Sequence, residues 1–174
     1  MSLASMLFWG GAAVLLFWTV GAYNRLVRLR NHILRRFAPV DQQLAARSAL
    51  LLRQLDTLAA LPAGAAREVE ELRAARAQAD AAWEAARRRP GAAGAINSLR
   101  LASHILARAR ERVPPDADSA ELTALRGELT VCDNALQFAL GQFNEAVNEY
   151  NQAVHQFPTW LLAAMFRFRG AVPL

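Results

Sequence analysis

From Leu122 to Phe157 the apolar residues Leu122, Leu125, Leu129, Cys132, Leu136, Ala139, Phe143, Val147, Tyr150, Val154 and Phe157 recur in steps of three and four. That spacing keeps them on one face of an α-helix. Sustained over about five heptads, it makes a seam that asks for a partner helix at a shallow crossing angle. Ser119 can cap this helix, although the acid of a capping box is absent at Leu122. Phe157-Pro158 ends it, because a residue before proline disfavours helical geometry.

The same spacing recurs upstream. Leu26, Leu29, Ile33, Phe37, Val40, Leu44, Leu51, Leu55 and Leu58 mark a first helical segment from Tyr23 to about Leu58. Pro39 is expected to kink it, since proline removes a backbone donor and crowds the previous turn. A second helix is expected over 65–89 and a third over 95–112, separated by the Gly- and Pro-rich breaks at 61–64, 90–94 and 113–116. Ala and Arg dominate, and both are strong helix formers, so the fold class is all-α. Short turns favour an antiparallel up-down bundle of long helices within one chain, with an intermolecular coiled coil as the alternative. The first and fourth helices are the longest, about 55 Å each at 1.5 Å per residue. The middle pair then covers only one end of them and leaves a two-helix stalk at the other.

Leu3 to Ala22 contains no charged side chain, and such a run is long enough to cross a bilayer as a helix. Trp18 and Tyr23 lie near the expected interface, and Arg25, Arg28 and Arg30 follow at once. A cleavable signal peptide would carry its charge before a shorter apolar core, so the run is read as an anchor. The positive-inside rule puts the N-terminus outside and the rest of the chain in the cytoplasm. The expected organisation is an anchor over 1–23, a helical bundle over 24–158 and an apolar, basic tail over 159–174. In the tail, Trp160, Phe166, Arg167, Phe168 and Arg169 suit a membrane surface, and packing back onto the bundle is the alternative.

The net charge of +5 sits at the ends of the chain. Residues 24–47 hold six Arg against Asp41, and the tail adds Arg167 and Arg169. The body between is slightly acidic, which argues against nucleic acid as a partner. The single Cys132 excludes an intramolecular disulfide framework and a cysteine-rich zinc site. It falls in the heptad seam and reads as a small core hydrophobe. Asp133 beside it can pair with an Arg of a neighbouring helix. His32, His104 and His155 lie on three different helices without a second ligand at helical spacing. No phosphate-cradling Gly loop, nucleophile elbow or paired-carboxylate motif is present. The chain is therefore expected to be no enzyme, with no cofactor, no metal and no small-molecule substrate.

Asparagine is the less ordinary signal. Asn144, Asn148 and Asn151 flank the seam of the fourth helix, and Asn24 and Asn31 lie seven apart on the first. Asn is a poor helix-interior residue because its amide competes for the backbone. One reading is a solvated edge. The sharper one is a polar network clamping the two stalk helices in register.

The stretches Tyr23-Asn24-Arg25-Leu26-Val27-Arg28-Leu29-Arg30-Asn31 and Asp133-Asn134-Ala135-Leu136, followed by 143–158, resemble the LemA family of bacterial membrane proteins. At the tail, Arg167 stands where that family usually has Gly. Ser48-Ala49-Leu50-Leu51-Leu52-Arg53-Gln54-Leu55 replaces its usual proline-containing segment. The resemblance implies an N-terminal anchor, a helical bundle and a bacterial plasma membrane. With no catalytic constellation, the expected role is a membrane-anchored scaffold or adaptor that binds a protein partner or itself. The alternative is a membrane-shaping or lipid-organising protein acting through its Arg-rich stalk and tail. A periplasm-active reporter fused to the C-terminus should give no signal, and a strong signal would overturn the cytoplasmic placement.

Overall fold

The computed structural model describes residues 3–60, 66–113 and 120–174. The Ser119 cap and the breaks expected at 61–64 and 114–116 lie outside the described residues. Five helices are seen among them: α1 (Leu3–Ala59), α2 (Ala66–Arg88), α3 (Ala93–Glu111), α4 (Ala120–His155) and α5 (Thr159–Met165). The chain is all-α, as its apolar spacing requires.

The apolar N-terminal run and the first bundle helix are one rod of 57 residues, continuous through Pro39. Among the described residues α1 is the one helix long and apolar enough to cross a membrane, and its apolar window is unburied. That fits a membrane-anchored protein.

Downstream of Tyr23, α1 packs against α4, and the cross-contacts give the direction. Arg36 donates to Gln142, the Phe37 ring meets Phe143 edge-on, Cys132 reaches the Gln43 carbonyl and Arg53 pairs with Glu128. As one number rises the other falls, so the two helices are antiparallel and the seam of α4 is buried within its own chain. The core lines expected on both helices, from Leu26 to Leu58 and from Leu122 to Val154, are buried, with Leu29 only partly so. Phe157 is the exception: it lies beyond the end of α4 and is 75% exposed.

The α2–α3 hairpin covers only the upper part of that pair. The Trp83 indole donates to Asp41 and Arg76 to the carbonyl and hydroxyl of Ser48, which fixes α2 alongside residues 41–48 of α1. The hairpin turns at Gly91, whose φ of +84° is a backbone conformation that a Cβ would disfavour. Below Gly91 the stalk would be two helices with a bare flank. Here the buried face of α4 widens, with Ala146 beside Val147 and Ala153 beside Val154. The extra line of small residues is covered by α5 and by the last residues of the chain, with Ala163, Phe168, Ala171, Val172 and Leu174 packed against this part of the core.

Phe143 is fully buried at the junction of stalk and bundle, whereas Phe138 on the same helix is 70% exposed. Phe143→Ala should lower unfolding free energy by about 3–5 kcal/mol, and Phe138→Ala should change it by less than about 0.5 kcal/mol. Denaturant unfolding of both variants checks this; equal losses would contradict the packing described.

Candidate functional site

The end of the bundle nearest the apolar run of α1 gathers a set of side-chain hydrogen bonds to main chain. After α4, Thr159, Leu162 and Ala163 turn α5 inward. Its other face leaves Trp160, Leu161 and Met165 exposed, and Phe166 just beyond its end is exposed too. The Phe166 and Phe168 rings both pack on Tyr23, at centroid distances of 5.1 and 5.8 Å. Tyr23 is where α1 leaves its apolar run, so α5 sits at the level where the chain would emerge from a bilayer.

Between the two phenylalanines the chain reverses at Arg167, which takes φ +56°. That is the left-handed region, where a side chain other than Gly is strained by its own Cβ. The remainder, 168–174, runs without helix along the flank of α4. The Tyr150 hydroxyl donates to the Arg169 carbonyl. The Asn151 amide donates to the Ala171 carbonyl at 2.8 Å and accepts from the Ala171 N–H at 2.9 Å. Asn144 repeats this at Leu174, with bonds of 2.7 and 2.8 Å. On the far side the Val172 N–H donates to the Gly91 carbonyl, and Arg100 donates to that of Pro173. Burial raises the Tyr150 phenol above its ordinary pKa, so the hydroxyl remains a donor throughout the neutral range.

The candidate residues of the sequence therefore divide. Asn144 and Asn151 spend their amides on the tail backbone, and Asn24, Asn31 and Asn148 face solvent. The clamp between the two stalk helices is replaced by a clamp of one stalk helix on the tail. Tyr23, Phe166 and Phe168 are brought together, whereas Trp18 lies a turn and more below on the exposed anchor surface. Arg25, Arg28, Arg30, Arg167 and Arg169 are exposed around this end, and Trp160 is 47% exposed. The sequence held three hints of the clamp: the doubled apolar line on α4, the seven-residue spacing of Asn144 and Asn151, and the small pair Gly170-Ala171.

A second polar group lies higher in the bundle. Asp133 pairs with Arg110 at 2.7 Å and lies 3.9 Å from Arg47, which joins α4 to α3 and α1. Desolvation lowers the pKa of the buried Arg47 guanidinium, and the Asp133 charge opposes that shift. The neighbouring Cys132 is buried, and desolvation raises its thiol pKa, as suits a core residue rather than a nucleophile. His32 lies 3.7 Å from Glu149 and accepts from Arg36, while His104 and His155 are exposed. Among the described residues no three His, Cys, Asp or Glu side chains converge as a metal site would need.

Residues 36–172, from the middle of α1 through α4 and α5 to the tail, match the LemA family. The chain belongs to the LemA family. No curated protein matches it. The LemA match runs through α5 and the tail to Val172, so the Asn144 and Asn151 clamp lies almost wholly inside it. Arg167, at the position where the LemA pattern usually has Gly, has the left-handed φ that glycine adopts without strain. The departure at Ser48–Leu55 also has a structural use, because Ser48 holds Arg76 of α2 and Leu51 and Leu55 are buried.

Two outcomes follow for stability. At position 167 the order should be Gly, then Arg, then Val, with Arg167→Gly gaining up to about 1 kcal/mol as left-handed strain is relieved against added chain entropy. Any order that places Val above Arg contradicts the turn. Asn151→Ala removes two bonds and should cost about 1–3 kcal/mol, with faster amide exchange at Ala171, while Asn148→Ala should cost less than about 0.5 kcal/mol.

Proposed function

We propose that this LemA protein is a non-enzymatic scaffold or adaptor, held by α1 in a bacterial plasma membrane with its bundle in the cytoplasm. The observation that carries this reading is the outward face of α4. Val131 and Phe138 are each 70% exposed and stand one heptad apart, on a single line of the helix. Phe138 lies between the levels of Arg36 and Gln43 of α1, whose partners on α4 are Gln142 and Cys132. At 1.5 Å per residue that is about 25 Å from Tyr23, too far for these side chains to enter the bilayer. A protein surface, either a partner or a second copy, is what they fit.

A second reading has its own observation. The exposed face of α5, with Trp160, Leu161 and Met165 and with Phe166 just beyond its end, is level with Tyr23 and flanked by Arg167 and Arg169. This arrangement suits lipid contact, with headgroup attraction of about 1 kcal/mol per arginine near an anionic leaflet. In that reading the protein organises or shapes lipid directly.

A photo-reactive amino acid at position 138, activated in intact membranes, separates the two. The scaffold reading expects a cross-link to a protein, lost when Val131→Glu is added without loss of helix content. Cross-links to lipid alone, or none, contradict it. For α5, a full-length variant whose only tryptophan is Trp160, made with Trp9→Phe, Trp18→Phe and Trp83→Phe, should be quenched by brominated lipids. Unquenched fluorescence contradicts lipid contact by α5.

A further inference from the structure

The clamp on the tail reads main chain. Asn144 and Asn151 are two helical turns apart, a rise of about 10 Å. Ala171 and Leu174 are three residues apart, and three extended residues also span about 10 Å. The two amides therefore match an extended segment in register, and each offers one donor and one acceptor to a single residue, as a neighbouring strand would. Every backbone N–H from Ala171 to Leu174 has a partner, and Pro173, which has none to offer, occupies the one place without an acceptor.

Selectivity resides in size. A Cβ on Gly170 would stand 3.3 Å from Asn151 Oδ1, and a Cβ on Gly91 would stand 3.1 Å from that of Ala171. Small residues are therefore favoured at the first two places, and Val172 and Leu174 pack against the core. The bound segment is only half-buried and is joined to α5 through the strained Arg167. It is held mostly by side-chain hydrogen bonds, with one backbone bond and partly buried apolar contacts, and a non-helical segment so held is of the kind that opens locally.

We propose that this flank of α4 is a peptide-recognition groove, held closed in cis by residues 169–174. The ligand it takes in trans is an extended segment of another protein, with two small residues followed by apolar ones around a proline. The inference deepens the scaffold reading by naming the chemistry of its partner, and the tail is then a competitor that the partner must displace.

The test uses the full chain in nanodiscs and a fluorescein-labelled peptide with the sequence of residues 168–174. Three proteins are compared: the intact chain, Ala171→Trp, whose side chain cannot fit against Gly91, and a chain stopped after Arg167. The two variants should bind the peptide saturably and at least about 10-fold more tightly than the intact chain, because the tethered tail no longer competes. Adding Asn144→Ala and Asn151→Ala to the stopped chain should abolish binding, as should a peptide carrying Ala171→Trp. Equal binding by all three proteins, or none by variants of native helix content, overturns the proposal. So does loss of helix content in both variants, since the tail would then be an indispensable part of the fold and no replaceable ligand. If the peptide fails while cross-links from position 138 persist, the groove is refuted and the scaffold reading stands.

Discussion

The antiparallel contact of α1 with α4 is the interaction on which everything else rests. It buries the seam from Leu122 to Val154 against the line from Leu26 to Leu58, with Phe37 and Phe143 meeting at its middle. Because α1 also contains the apolar run, the contact couples the bundle rigidly to whatever surrounds that run. It also brings α4 back to the point where α1 began, which is why α5 and the tail lie beside Tyr23. Polar pairs set the register along this contact. Breaking the group formed by Arg47, Asp133 and Arg110 would leave a partly buried charge without its partner, which is costlier than the pair itself is stabilising.

The geometry divides the molecule into two ends with different chemistry. Above Gly91 four helices enclose a conventional core, stapled at its rim by surface pairs such as Glu71 with Arg67 and Arg112. Those arginines lower the pKa of the Glu71 carboxyl, so what they add is present at neutral pH and fades as pH falls through the lowered value. Below Gly91 the third layer is the short α5 and a non-helical segment held by amides and by partly buried apolar side chains. The stalk is thus the part of the molecule whose covering combines a short helix with side-chain hydrogen bonds to main chain.

Much of this was legible in the sequence. The four long helices fell within a few residues of their expected ends, because Leu and Ala at helical spacing and Gly-Pro clusters are local signals, whereas the short α5 was not expected. The α1–α4 pairing was legible from length and from short turns. The pairing of Asp133 with arginine followed from its place beside the seam. The destination of Asn144 and Asn151 was not legible, because periodicity reports a helix face and says nothing of a partner that has no periodicity itself. The continuity of α1 through Pro39 was legible too, because the apolar spacing from Leu26 to Leu58 runs unbroken past that residue.

The most direct measurement is a cross-link between the two long helices in native membranes. Arg36 and Gln142 are in hydrogen-bond contact at 2.6 Å and accessible. Cysteines at both positions, in a Cys132→Ala background, should be joined by a short bis-maleimide spanning about 8 Å, since facing helices pack 8–10 Å apart. The account predicts a product that runs as a monomer at every expression level. A product found only as a dimer would mean that α4 seeks its partner in another chain, and would contradict the hairpin on which the fold, the clamp and the proposed groove depend.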